Sequence, residues 1–178
     1  MSKSINYSSI DSFELKWRFA EDDSKWTVLP PEDLANFKPL TEDTAEWLWS
    51  CHVSDSAQHL MDIAARQTPP NRDVFGRCIL EIDDDWTSTE EQMRVTQTFN
   101  SSIQISSVSC VYFFWNASSA VETTWDVFLR YWSDFCYPSD DSNVAVLPDA
   151  GCNLYYIEGS FSLRVTCSHN DEQGNAAS

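Results

Sequence analysis

The segment VETTWDVFLRYWSDFCYPSDD, residues 121–141, constrains the fold more than any other stretch of the chain. It places Trp125, Phe128, Leu129, Trp132, Phe135 and Cys136 at i, i+3, i+4, i+7, i+10 and i+11. On a helix beginning near Thr123 these side chains form one continuous apolar stripe. Asp126, Arg130, Ser133 and Asp134 take the opposite side. A stripe this regular is a core face, not a ligand box or a platform for stacking bases. Burying it is worth on the order of 10 kcal/mol in gross transfer terms. Pro138 ends the helix and leaves Asp140 and Asp141 on an exposed turn.

A helix with such a face needs a partner layer, and the rest of the chain supplies one. SSVSCVYFFW at 106–115 is β-rich and apolar enough for a central strand. RCILEI at 77–82 reads as a second strand, and NVAVL, CNLYYIE and SFSLRVT as three late strands joined by short turns. Earlier, SFELKWRF is a strand or a packing segment through Phe13, Trp17 and Phe19. LPPEDLANFKPL is a proline-punctuated loop around one short helical turn. TEDTAEWLWSCHV is a helix with Thr41 as its N-cap and acids in its first turn. AQHLMDIAARQ continues helical until TPPNRD breaks it. In TSTEEQMRVTQTF, Ser88 and Glu91 match a capping box.

Helices early and strands late predict an α+β fold. We expect a single domain over residues 12–167, with a mainly antiparallel sheet packed against a few helices. Residues 1–11 and 168–178 are expected to be flexible polar termini. The chain's 178 residues are enough for one sizeable core, and its 13% aromatic content is that of a packed protein rather than a disordered one. The first residues lack an apolar run of the secretory kind, and VYFFW is far too short to span a bilayer, so a soluble cytoplasmic protein is expected.

Six cysteines, at 51, 78, 110, 136, 152 and 167, are far apart and make no C-x-x-C or zinc spacing. They are expected to be buried, reduced thiols. No cofactor is expected. Of the three histidines, His52 and His59 read as ordinary surface or core residues, and His169 lies on the tail.

Charge is the strongest global property. The chain has 28 acidic against 11 basic residues, a formal net charge of −17. All four lysines fall within the first 38 residues, so residues 39–178 should present a mostly negative surface. Such a surface repels nucleic acid and anionic lipid and steers basic partners toward itself. Direct nucleic-acid and membrane partners are therefore excluded from the reading.

EIDDDW puts Asp83, Asp84 and Asp85 at the end of a predicted strand, with Glu90 and Glu91 close behind. Three readings compete for these acids. A solvated turn that caps the next helix needs nothing further. A docking patch needs only exposure: Asp83, Asp84, Asp85, Glu90 and Glu91 would meet a basic protein, Trp86 would anchor it, and Asp140 and Asp141 would add a second patch. A metal-dependent hydrolase would use two of the aspartates on Mg²⁺. Against that stand the opposed directions of consecutive strand side chains and the absence of any lysine after Lys38. An acidic mimic of nucleic acid, blocking a DNA-binding protein, is a further alternative.

KWRFAEDD, LPPEDLANFKPLTEDTAEWLW and VYFFWNASSAVETTWDVFLRYWSDFCYPSDD together resemble the DUF2947 group of uncharacterised bacterial proteins. The shared features are the step from Lys38 to Thr41 into a helix bearing Trp47 and Trp49, the strand Phe113 to Trp115, and Glu122 to Phe135. The resemblance implies a bacterial cytosolic α+β domain and supplies no catalytic residue. Small acidic proteins of this style also resemble immunity proteins by analogy. The expected function is thus that of a non-enzymatic inhibitor which binds and neutralises a cognate toxin, a basic protein such as a nuclease.

Overall fold

The computed structural model describes residues 4–22, 27–69, 77–83, 85–102, 105–136, 144–148, 154–158 and 162–166. Their strands are β1 (Lys38–Pro39), β2 (Arg77–Glu81), β3 (Cys110–Phe114), β4 (Ala120–Thr124), β5 (Val144–Pro148), β6 (Leu154–Glu158) and β7 (Ser162–Thr166). These make one sheet in the order β1-β4-β3-β5-β6-β7-β2, and every neighbouring pair is antiparallel. The helices are α1 (Pro31–Leu34), α2 (Glu42–His52), α3 (Leu60–Ala65), α4 (Thr89–Ser102) and α5 (Trp125–Cys136). The protein is a single α+β domain. Both edge strands come from the first half of the chain and the inner five from the second half, so neither half completes the sheet alone.

β3 explains why its sequence is an unbroken apolar run: it is covered on both faces. Val111 and Phe113 enter one core, with Val95 and Phe99 of α4 and Trp125, Val127, Phe128 and Trp132 of α5. Phe114 enters a second core, with Ala45, Leu48 and Trp49 of α2 and Leu60 of α3. Strands buried on both sides lose the polar alternation of a half-exposed sheet. The α5 stripe is architecture, as its periodicity predicts: Trp125 and Phe128 stack at 5.4 Å, and Phe99 meets Phe128 edge-on at the same separation. In the second core Trp49 donates its indole N–H to the Ala57 carbonyl at 2.6 Å, which satisfies its polar end inside.

Several expectations are corrected. The helix does not begin near Thr123. Residues 120–124 form β4, with Val121 opposite Phe113 and Thr123 opposite Val111, and the helix starts at Trp125. β-branched Val121, Thr123 and Thr124 favour the extended backbone, and pairing with β3 satisfies it. Thr124 then accepts the Val127 N–H at 3.3 Å and so opens α5.

The N-terminus is tied down from residue 6 onward. Ser8 N–H donates to the Pro39 carbonyl at 2.9 Å and Thr41 N–H to the Asn6 carbonyl at 3.0 Å. Tyr7 forms a bridge with Leu40. Polar composition hid these residues because their bonds are made by backbone. SFELKWRF is a packing segment of two 3-10 turns, Ile10–Ser12 and Lys16–Arg18, which bury Phe13 and Phe19. Cys51, Cys78 and Cys110 stand exposed, not buried. Among the described residues no helix is long and apolar enough to cross a membrane.

Candidate functional site

The acids singled out in EIDDDW lie where β2 hands over to α4, and the connection is built from the inside. Ile82, 5% exposed, anchors the end of β2 in the aromatic core. Beyond it, Asp83 N–H donates to Glu91 Oε1 at 2.7 Å. Asp85 N–H donates to Asp83 Oδ1 at 3.1 Å, a side-chain turn of the kind aspartate favours. Ser88 N–H donates to the Asp85 carbonyl at 2.9 Å, and Glu91 N–H to Ser88 Oγ at 3.2 Å. Half of the predicted capping box is therefore present. Glu91 does not reach back to Ser88; its carboxylate goes instead to the backbone of Asp83.

Glu91 is also gripped from the other side. Arg94 donates Nε to Glu91 Oε2 at 2.6 Å and Nη2 to Oε1 at 2.5 Å, and the same Nη2 reaches the Glu81 carbonyl at 2.6 Å. The Arg94 guanidinium, helped by the Asp83 N–H, holds the Glu91 carboxyl below its ordinary range against the opposing effect of burial. One bidentate pair thus clamps the end of β2, the turn and the first turn of α4.

The predicted residues separate accordingly. Asp83, Asp85 and Glu90 are exposed. Trp86 is half-buried and packs against the aromatic core. Glu91 is 7% exposed and fully engaged, so it holds the turn from within and presents nothing to a partner. The sequence carried a signal that sets it apart from Glu90: Glu91 stands at i, with the buried Val95 and Phe99 at i+4 and i+8 on the same helix face. Asp84, Asp140 and Asp141 lie outside the described residues. Among the described residues no group of three or more His, Cys, Asp or Glu is arranged to hold a metal ion.

The family of the chain follows from a match over most of its length. A family model described as a protein of unknown function, DUF2947, matches residues 7–156. The chain belongs to the DUF2947 family. No curated protein and no solved structure matches it.

This DUF2947 chain holds two further charge clusters that sequence reading missed. In the first, Arg130 of α5 donates Nη1 and Nη2 to the two Asp33 oxygens at 2.5 and 2.7 Å, and Tyr131 Oη donates to Asp33 at 2.7 Å. Asp126 takes a third bond from Arg130 at 2.9 Å. Arg130, with Tyr131 assisting, keeps the buried Asp33 carboxyl below its ordinary range. Burial and the neighbouring Asp33 raise the Tyr131 phenol.

In the second cluster, Lys38 and Glu122 are cross-strand partners of β1 and β4, with Nζ 3.1 Å from Oε1. Tyr7 Oη donates to the other Glu122 oxygen at 2.7 Å. Burial, then this bond, pushes the Tyr7 phenol well above its ordinary value. It stays a donor at every physiological pH and fastens the N-terminal strap. Only the resemblance motifs hinted at this cluster, since both Lys38 and Glu122 stand in them.

Proposed function

We propose that this DUF2947 protein is an immunity-type inhibitor: an acidic, non-enzymatic binder that docks stoichiometrically on a basic toxin or effector protein. One observation carries the reading. The β2–α4 turn is fixed internally by Glu91 and Arg94, and it offers the carboxylates of Asp83, Asp85 and Glu90 to solvent beside the half-buried Trp86. A turn already held in one shape gives up little entropy when a partner closes on it. The net charge of −17 adds long-range steering of a basic partner, which speeds association and weakens with salt. The proposal places both the protein and its target in the cytoplasm.

The test is affinity capture from lysate of the producing cell, with the wild-type protein and with Asp83→Asn/Asp85→Asn/Glu90→Gln in parallel. The reading expects one basic protein in equimolar amount on the wild type, inactive while bound and lost from the triple variant. Equal capture by both baits would remove this turn from the interface.

A further inference from the structure

In a chain of this charge, one helical surface is conspicuous for carrying almost none. Between α4 and α5 runs a groove of about 370 Å³, lined by Gln92, Met93, Thr96 and Gln97 of α4 and by Leu129 and Trp132 of α5. Among the described residues that line it, Arg130 alone is charged. Its guanidinium is already bonded to Asp33 and Asp126, so it offers little net charge to the groove. Met93 is 57% exposed, a large apolar side chain left in water at the mouth of the groove.

The groove is preformed. Trp132 donates its indole N–H to Thr96 Oγ1 at 3.1 Å, and Gln92 Nε2 lies 3.4 Å from Ser133 Oγ. These bonds stitch α4 to α5 across the floor, while Val95 and Phe99 hold α4 to the core from behind. The lining is neutral glutamine, threonine and serine around apolar Met93 and Leu129 over the buried Trp132; depletion of charge marks an interface centre, and a polar rim is its usual surround. Acidic residues adjoin one end of this lining in the chain. Thr89 lines one end of the groove and is followed directly by exposed Glu90, with Asp83 and Asp85 in the turn that leads to it.

We propose that this groove seats the apolar stripe of an amphipathic helix presented by a basic protein, whose lysines or arginines meet Asp83, Asp85 and Glu90. The inference rests on the proposed docking function and adds to it the anchor and the shape of the partner segment. Charge complementarity selects this occupant: an acidic helix would face the same three carboxylates unpaired. Two packed helices leave a groove into which a third helix fits ridge into groove, with anchors at i, i+3, i+4 and i+7. The neutral floor supplies the slow dissociation that exposed charge pairs alone do not.

The test uses the full chain and two synthetic helical peptides. One carries leucines at i, i+3, i+4 and i+7 with lysines elsewhere; the other has the same lysines, with serine replacing each leucine. Affinity is read by fluorescence anisotropy, and the contact surface by amide chemical shifts. The leucine peptide should bind about tenfold more tightly than the serine peptide. Its shifts should fall on α4 and α5, and Met93→Gln, an exposed and uncharged replacement, should remove most of that advantage. Equal binding of the two peptides, or an advantage that survives Met93→Gln, would overturn the groove.

The acidic turn is tested separately by Asp83→Asn/Asp85→Asn/Glu90→Gln. Loss of affinity there, with Met93→Gln silent, leaves the turn as the docking surface and sinks the groove; the reverse pattern keeps the groove and sinks the turn. Sedimentation of the protein alone covers one more occupant. A dimer abolished by Met93→Gln would give the groove to a second copy and refute a heterologous helix.

Discussion

Two arginine–carboxylate clamps in this protein, one closed end-on by both Nη atoms and the other side-on by Nε and Nη2, are alike in being bidentate and opposite in consequence. Arg130 holds Asp33 and Arg94 holds Glu91; each pair is bidentate, and in each the arginine side chain is 45% exposed while the acid is 5% or 9% exposed. At the α1–α5 junction, Asp33 bonds Arg130 and Tyr131, and exposed Asp126 also turns to Arg130. The acids there are consumed by the fold. At the β2–α4 turn the clamp takes Glu91 alone and fixes a backbone from which Asp83, Asp85 and Glu90 project. Net charge treats all these carboxylates alike. What separates them is whether the carboxylate itself is bonded to an arginine.

The comparison can be broken most strongly at its structural end. Asp33→Asn leaves Arg130 without its main partner and should destabilise by about 3 kcal/mol, the low end for a broken buried pair because Arg130 can still reach water. Urea unfolding measures this. Glu91→Gln should cost less stability, about 2 kcal/mol, but it frees the turn and should weaken partner binding as well. If Glu91→Gln binds as tightly as wild type, the two clamps are alike in serving stability only.

Acid sharpens the same contrast. Asp33 and Glu91 are both held below their ordinary values of 3.8 and 4.5. The folded protein therefore takes up their protons less readily than the unfolded chain does. Their stabilising contribution is complete above those ordinary values and is lost as pH falls through the lower folded-state ones. Stability should be flat with respect to these two groups above about pH 5 and should decline below about pH 4. In Asp33→Asn/Glu91→Gln that decline should be shallower, which unfolding curves at stepped pH would show.

The smallest stability effect belongs to the exposed acids. Asp83→Asn/Asp85→Asn/Glu90→Gln should change unfolding free energy by no more than about 0.5 kcal/mol per site, since asparagine at 83 can still accept the Asp85 N–H. The same variant should show a flatter dependence of partner binding on salt. A large loss of stability would place these acids with Asp33 and Glu91 and end the distinction between the two regions.

Much of the fold was legible because it rests on local periodicity. The α5 stripe, the β3 run and the late strands follow from repeat spacing in short windows. The start of α5 was misplaced because the strand residues Val121 to Thr124 and the helix after them share one apolar rhythm, and only pairing with β3 ends the first element. The candidate turn was legible as a cluster of acids after a strand. Which of its acids faced outward had a signal only in the spacing of Glu91 from Val95 and Phe99.

The sequence alone determined the apolar stripe of α5 and the apolar run of β3, the acidity of the molecule and the site of the exposed turn, because each is a property of neighbouring residues or of a sum over the chain. The tertiary structure decided the partners of Asp33 and Glu122, the division of the apolar residues into two cores, the fastening of the N-terminal strap, and the neutral groove between α4 and α5. The Asp33 and Glu122 contacts join residues 97 and 84 positions apart, and the groove exists only when two helices lie side by side. Pattern within a window cannot encode such meetings; the closing of the sheet and the packing of helices on its two faces bring them about.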